Sequence, residues 1–368
     1  MKNKLYLLII LLILFQITFS QISKYQEFAL FVAGKEFPKS IKDETINKNF
    51  WIKYCENLAS DWAEIDSTRL IAMQEWQETE ISTKINDTLN LFYPFSGPDF
   101  LHAYLLFPNA NNYLMLAQEH LGNIPDISKM KQKELEDYLN KFYFSIRDIF
   151  QRSYFITMRM TSDLYNDKIQ GCLPVMLFFL VQTNHSIIDV KYEKLNSMLT
   201  FDEFVTNPSG KFSSGESINI IFYNNVDTTK LKNLRYFRCD ISDDGLKNAA
   251  TFKKYLSEQK NINTYTKSAS YLMHNSYFSE IRKIVLDNSN TVLQDDTGVP
   301  YKYFCNDNWS QFLYGTYVKP IKDFGEYLKQ DDLMKAYESK INVYELPFSL
   351  GYHWRDGQQN QLLFIKIK

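Results

Sequence analysis

Residues 89–95 read LNLFYPF and residues 113–117 read YLMLA, two short apolar and aromatic segments. Both have the composition of buried β-strands. The segment between them opens with Ser96-Gly97-Pro98-Asp99 and then predicts a brief helix. A strand, a helix and a second strand in this order form a crossover that makes the two strands parallel. This stretch therefore predicts an α/β fold built around a parallel pair.

Apolar spacing predicts further helices and strands on both sides of this pair. Helices are expected over residues 24–80, 128–150, 172–180, 244–259, 271–288 and 321–340, and strands over 187–192, 218–223, 236–241, 291–293, 347–352 and 362–367. The clearest loop covers residues 207–215. We expect a mixed, partly parallel sheet flanked by helices, which forms an α/β domain over 89–368 after an N-terminal helical extension over 21–88.

The first 20 residues have the organisation of a secretory signal peptide. Lys2 and Lys4 precede the apolar run Leu5–Phe15, and the sequence then becomes more polar toward Ser20. The run is well short of the roughly 20 residues that a spanning helix needs. We therefore expect cleavage after Ser20 and a periplasmic or secreted protein with no transmembrane span after cleavage; an uncleaved N-terminal anchor is the alternative.

Composition narrows the classes of partner. The chain has 41 basic and 43 acidic residues, a balance that provides no electrostatic surface for nucleic acid. Only 12 of 368 residues are glycine and no glycine-rich phosphate loop occurs. The five histidines are too scattered for a dedicated metal site. We expect no metal, no cofactor and no nucleic acid, and a partner that is a small molecule or a component of the cell envelope.

Four cysteines are spread widely along the chain, and two disulfides are one alternative. Cys172 begins an apolar run and Cys239 follows a strand-like segment, so both are predicted to be small buried hydrophobic residues. Cys55 and Cys305 carry no further signal, and a chain of this length does not need disulfides to fold.

The first candidate site is the turn that follows the segment 89–95. Ser96, Gly97 and Asp99 are predicted to lie at the carboxyl edge of the sheet, where ligands of α/β proteins bind. Asp99 and His102 are three residues apart and share a helix face, near backbone amides that could bind an anion. The structural alternative makes Ser96 the N-cap of the helix, with Asp99 favouring the helix dipole.

The second candidate site is Leu293–Pro300, where Asp295 and Asp296 end a short apolar strand. Two carboxyl groups there could act as acid and base if burial separated their pKa values, or bind a cation. The alternative is a turn, because Asp and Gly are common turn residues. His274, in a third polar segment, is either a catalyst or a hydrogen-bonded residue at the boundary of a helix.

Two functions of different class follow from these candidates. The preferred one is an exported protein that binds a ligand or partner without chemistry, because no catalytic signature is present. The alternative is an exported hydrolase in which five residues converge at the sheet edge: Asp99, His102, His274, Asp295 and Asp296. Convergence within hydrogen-bond reach separates the two, because an enzyme needs a base beside a nucleophile or water.

The same segments resemble an uncharacterised family of bacterial proteins in which an aromatic strand ends in YPFSGPDF. The resemblance rests on Tyr93–Phe100, Phe107–Ala110, Ser268–His274 and the LQDDTGVP segment Leu293–Pro300. The resemblance implies which residues form a site, but it implies no reaction. The order of elements also resembles the opening of class I methyltransferases, in which an acid after the second strand, here near Glu119, holds a ribose. The glycine-rich loop of those enzymes is reduced here to Gly97.

Overall fold

The structure is a computed structural model that describes residues 23–155, 171–204, 214–305, 307–353 and 357–367. The predicted signal peptide and most of the predicted loop over 207–215 lie outside these residues. The fold is α/β, as the sequence predicted, with one mixed sheet between two layers of helices.

Among the described residues the sheet has eleven strands, in the order β10-β9-β11-β8-β7-β1-β2-β6-β5-β3-β4. Their bounds are β1 Leu91–Pro94, β2 Asn112–Ala117, β3 His185–Leu195, β4 Phe201–Glu203, β5 Glu216–Asn224, β6 Asp227–Arg238, β7 Ile262–Thr266, β8 Ser289–Gln294, β9 Trp309–Gly315, β10 Val343–Tyr344 and β11 Asn360–Lys366.

The centre of the sheet is parallel, and the predicted pairing of β1 with β2 is confirmed. β6 continues the parallel array beyond β2, while β7 and β8 continue it on the other side of β1. In chain order these five strands run 3-2-1-4-5, the order of doubly wound sheets. The chain therefore leaves β1 toward β2 and later returns to β7, so the topological switch point lies between β1 and β7.

Ten α-helices are described, and they divide between the two faces of the sheet. Their bounds are α1 Lys24–Val32, α2 Lys48–Ile65, α3 Ile71–Trp76, α4 Phe100–Leu106, α5 Gln132–Arg152, α6 Leu173–Gln182, α7 Asp243–Asn248, α8 Ala250–Glu258, α9 Ser279–Asn288 and α10 Asp331–Ser339. Buried residues of α1–α6 belong to one hydrophobic cluster, and those of α7–α10 belong to the other. Helices on both faces bury both sides of the parallel strands, which explains their apolar sequences.

The predicted N-terminal helices pack on the sheet. α2 and α3 form one helical rod from Lys48 to Ile81 that includes two π-helical turns, Asp66–Leu70 and Gln77–Ile81. Trp76 of this rod packs edge-on against Tyr314 of β9, with ring centroids 4.9 Å apart. Burial against the sheet therefore stabilises the rod, as it does most amphipathic helices.

Several predicted boundaries are wrong. The strand predicted over 347–352 is absent from the described residues: Phe348 and Leu350 are buried without entering the sheet, and Gly351–His353 is a 3₁₀ turn. The helix predicted over 321–340 is confined to Asp331–Ser339, after two 3₁₀ turns. In both cases apolar spacing recorded burial and not regular secondary structure.

The region around β7 was also predicted incompletely. β7 and β9 were missed, and the helix predicted from 271 begins at Ser279 because Ser270 and Tyr271 have positive φ angles. The helix predicted over 244–259 is broken at Ala249, where φ is −121°. β7 is short and carries three polar residues among its five, so its strand signal is weak, although it occupies the middle of the sheet.

All four cysteines are free, and Cys172 and Cys239 are buried as predicted. Within the described part of the chain, no helix has both the length and the apolar character needed to span a bilayer.

Candidate functional site

The candidate site lies at the carboxyl ends of β1, β7 and β8, at the topological switch point. Three segments meet there: Phe95–Asp99 after β1, Lys267–Tyr271 after β7 and Asp295–Thr297 after β8. In open α/β sheets the crevice at a switch point is where ligands bind.

Asp99, not Ser96, caps α4. Its Oδ1 accepts hydrogen bonds from the backbone N–H of His102 at 3.3 Å and lies 2.7 Å from His102 Nδ1. Phe95 and Gly97 have positive φ angles, so the turn continues beyond Ser96 and the helix begins only at Phe100. The prediction that Ser96 caps the helix is wrong. Its hydroxyl instead donates to the carbonyl of Leu116, 3.3 Å away, and joins the turn to β2.

Lys267 is the central charged residue of the site, and sequence reasoning missed it. Its Nζ lies 2.7 Å from Asp99 Oδ2 and 3.1 Å from His102 Nδ1, and it donates to the carbonyl of Ser153. The side chain is only 2% exposed. A signal was present, because Lys267 directly precedes the Ser268–His274 motif. It went unused because β7 had not been recognised as a strand.

The protonation states of this cluster follow from burial and charge. Burial lowers the pKa of His102 to about 4 even though Asp99 opposes the shift, so the imidazole is neutral at neutral pH. Burial by itself would raise the pKa of Asp99, but the charges of its two partners hold it well below its usual range. Burial lowers the pKa of Lys267 and the charge of Asp99 opposes that shift, so the buried ammonium and carboxylate stabilise each other's charged forms. His102 Nδ1–H then donates to Asp99, and its Nε2 carries the lone pair.

Asp295 holds the loops after β7 and β8 together. Its Oδ2 accepts from the backbone N–H of Ser268 at 2.7 Å, and its Oδ1 accepts from the backbone N–H of Thr297 at 3.0 Å. Burial, followed by the negative charge of Asp296, raises the pKa of Asp295 to about 6. Gln294 closes the same turn through two hydrogen bonds to the backbone of Val299, at 2.7 and 2.9 Å.

Asp295 and Asp296 open a turn, as the alternative interpretation held, closed by the Gly298 N–H to Asp295 carbonyl hydrogen bond at 3.2 Å, and the two carboxyl groups have different partners. Asp296 Oδ1 lies 3.1 Å from Asn360 Nδ2 and 3.2 Å from His353 Nε2, and its Oδ2 accepts from the hydroxyl of Tyr271. His274 lies beside this group, with its ring 5.0 Å from that of Tyr271. Burial lowers the pKa of His274 to about 4.

The two predicted turns therefore meet at one edge. Asp99 is bonded to Lys267, and the next residue, Ser268, is bonded to Asp295. All five candidate residues lie along this edge, in two groups: the pair Asp99 and His102, and the set Asp295, Asp296 and His274. Strand β7 lies between the two groups. The residues that follow it connect them, because Lys267 pairs with Asp99 and Ser268 bonds to Asp295.

Strained backbone is concentrated at the same edge. Five residues other than glycine have positive φ angles there: Phe95 at 60°, Ser153 at 65°, Ser268 at 53°, Ser270 at 53° and Tyr271 at 54°. Such residues cost on the order of 1 kcal/mol or more each and persist where the surrounding structure imposes them, often at functional sites.

Seven of the buried side-chain polar atoms that lack a hydrogen-bond partner lie at this edge, while others are spread over the rest of the described structure. The seven at the edge are His102 Nε2, Glu119 Oε2, Tyr265 OH, Thr266 Oγ1, Ser268 Oγ, His274 Nε2 and Gln361 Oε1. Roughly 90% of buried polar groups in proteins have a partner, so a group of unpaired ones calls for an explanation. Glu119 follows β2 by two residues, and burial raises its pKa.

No cluster of three or more histidine, cysteine, aspartate or glutamate side chains suited to a metal ion occurs among the residues that the structure places. No family model, no curated protein and no solved structure matches this chain. The function is therefore argued from the geometry of the site.

Proposed function

We propose that the protein is an exported binding protein that holds a small polar molecule at the carboxyl edge of β1, β7 and β8 without transforming it. The observation that carries this proposal is the group of buried, unpaired polar atoms at the switch point. A ligand that donates to and accepts from these atoms would remove the cost of leaving them unpaired, which is about 1–3 kcal/mol for each.

The charged groups suit a positioning role. Asp99 and Lys267 neutralise each other, and Asp295 is occupied by backbone N–H groups of two loops. These contacts hold the loops in their strained conformations. The groups left for a ligand are neutral donors and acceptors, such as the hydroxyls of Thr266 and Ser268. A neutral ligand rich in hydroxyl or amide groups fits this set better than a strongly charged one.

A thermal-shift screen with sugars, polyols, amides, organic acids and phosphate esters tests the proposal. We expect a neutral polar compound to raise the melting temperature of the wild type. Ser268→Ala should weaken that response about tenfold in affinity, since its hydroxyl has no partner in the described protein and is free for a ligand. Ser339→Ala, at the exposed C-terminal end of α10, is the matched control. A compound that stabilises both variants equally would place the ligand elsewhere, and no response to any class would count against the proposal.

Hydrolysis is the second candidate, and one contact favours it. Asp99 orients a neutral His102 so that Nε2 could act as a base, which is the arrangement of catalytic carboxylate–histidine pairs. A nucleophile within reach is also required, and no hydroxyl or thiol of the described residues contacts Nε2. We therefore rank hydrolysis second. Turnover of ester, amide or phosphate substrates by the wild type that is lost in His102→Gln would reverse the order.

Export is part of the same proposal and rests on Lys2, Lys4 and the apolar run Leu5–Phe15. Mass spectrometry of the protein from the native cell envelope should find Gln21 as the first residue, with Met1 absent. An intact N-terminus in soluble cytosolic material would refute it.

A further inference from the structure

A cavity of about 630 Å³ lies between the rod α2–α3 and the last turns of α5. Its volume is within the range of about 300–1,000 Å³ that small-ligand pockets occupy. The residues that matter below are Asp61, Glu64, Ile65, Arg69, Arg147 and Phe150, all of which line it.

Arg69 is the buried cation of this cavity. Its side chain is 8% exposed, and Nη2 donates to the carbonyls of Ile149 and Phe150 at 3.1 and 3.5 Å. Nε has no hydrogen-bond partner among the described residues, and the carboxylate of Asp99 acts on Arg69 through its charge without a direct hydrogen bond to it. A buried guanidinium with an unused N–H group and no directly bonded carboxylate is costly, and a ligand anion would reduce that cost.

The backbone supports a specific role for this residue. Arg69 lies within the π-helical turn Asp66–Leu70. Such turns are rare in helices and are frequently found at functional sites. Their hydrogen bonds join residues five apart, which brings Glu64 and Arg69 onto the same side of the rod, where both line the cavity.

Carboxylates lie farther along the same wall. Glu64 is exposed and Asp61 is half-buried, where it accepts from the hydroxyl of Tyr143. Ile65 and Phe150 contribute apolar wall. The cavity thus combines the buried cation Arg69, the acids Asp61 and Glu64, and apolar wall, with the exposed cation Arg147 also in its lining. A simple polyanion fits this arrangement poorly because the acids would repel it.

We propose that this cavity binds a short peptide with free ends, whose terminal carboxylate pairs with Arg69 and whose terminal ammonium lies near Glu64 and Asp61. The spacing fits. Five to eight residues of helix separate the acids from Arg69, which is ~8–12 Å along the axis at about 1.5 Å per residue. An extended peptide spans up to about 3.5 Å per residue, so two or three residues bridge this distance.

Titration calorimetry with Ala-Leu-Ala, its C-terminal amide and its N-acetyl form tests the proposal on the purified protein. The free tripeptide should bind, the amide should bind at least about tenfold more weakly, and the acetylated form severalfold more weakly. Failure of the free tripeptide to bind at millimolar concentration, equal binding of the amide, or binding of inorganic phosphate in place of the peptide would each overturn it.

Two variants assign the ends of the peptide. Glu64→Gln changes an exposed side chain and should weaken the free tripeptide while leaving the N-acetyl form unchanged. Glu56→Gln, exposed on the same helix but outside the cavity, is the matched control. Arg69→Lys keeps the charge but loses the planar pair of donors, and it should reduce the preference for the acid over the amide severalfold. Equal effects of Glu64→Gln and Glu56→Gln would refute the assignment of the ammonium end.

Discussion

Two threonines of β7 offer a direct test of the unpaired polar atoms. Thr264 and Thr266 are two residues apart, so they lie on the same face of the strand, and both are fully buried. Thr264 Oγ1 is 2.7 Å from Ser289 Oγ, whereas Thr266 Oγ1 has no partner in the described protein. Replacing each with valine keeps the shape of the side chain and removes one hydroxyl.

The two substitutions should change the free energy of unfolding in opposite directions. Thr266→Val removes a buried, unpaired hydroxyl and should raise the free energy of unfolding by about 1 kcal/mol. Thr264→Val leaves Ser289 unpaired and should lower it by about 1–2 kcal/mol. The expected difference of about 2–3 kcal/mol is well above the error of denaturant unfolding measured at constant m-value.

Urea or guanidinium unfolding of the ligand-free protein at neutral pH is the assay. The stabilised Thr266→Val variant should also respond more weakly to any compound found in the thermal-shift screen, because functional sites trade stability for binding. If Thr266→Val destabilises the protein as much as Thr264→Val, the hydroxyl of Thr266 is paired after all. The proposed ligand site would then lose its principal support.

Three further outcomes are expected. Asp99→Asn should destabilise the protein by about 3–5 kcal/mol because it leaves the ammonium group of Lys267 buried without its counter-ion. In urea unfolding, the double variant Asp99→Asn with Lys267→Met should lose less free energy of unfolding than the sum of the two single variants. The pKa of Asp295 is raised to about 6, above its unfolded value of about 3.9, so the folded state favours the protonated carboxyl. The contribution of Asp295 to the free energy of unfolding is therefore complete at low pH and is lost as the pH rises through about 6. Asp295→Asn should therefore gain stability relative to the wild type between about pH 4 and pH 7, and a constant difference across that range would contradict the shift. Gly351→Ala should destabilise the protein by at least about 1 kcal/mol, as measured by the unfolding midpoint, because φ is +71° and the new Cβ would lie 2.9 Å from Asp295 Oδ2.

If Asp99 and the carboxylates of the second turn repelled each other at the sheet edge, that repulsion would raise the pKa of at least one of them. The pKa of Asp295 is raised, but by burial and by its chain neighbour Asp296, and not by Asp99. For Asp99 the shift has the opposite sign, since Lys267 lies between the two turns. A stabilising Asp→Asn change is therefore expected only at Asp295 and only above the pH at which that carboxyl ionises.

Local chemistry in the sequence determined the fold class, the parallel pair β1 and β2, and the polar turns that end β1 and β8. Strand composition, helix periodicity and turn residues act over a few neighbouring positions, so one sequence is enough to read them. Because these signals are local, they did not predict backbone conformations that the surrounding structure imposes. Ser96 had the composition of a cap, and only the positive φ angles of Phe95 and Gly97 moved that role to Asp99.

Only the tertiary structure decided where the two turns lie relative to each other. β7 enters the sheet between β1 and β8, and this places Lys267 against Asp99 and Ser268 against Asp295. Strand order is a long-range property: Asp99 and Lys267 are far apart in the chain, and no local pattern encodes their contact. Burial, which sets the charges of His102 and Asp295, depends on the packing of both helical layers, so the ionisation of the site emerged only with the complete fold.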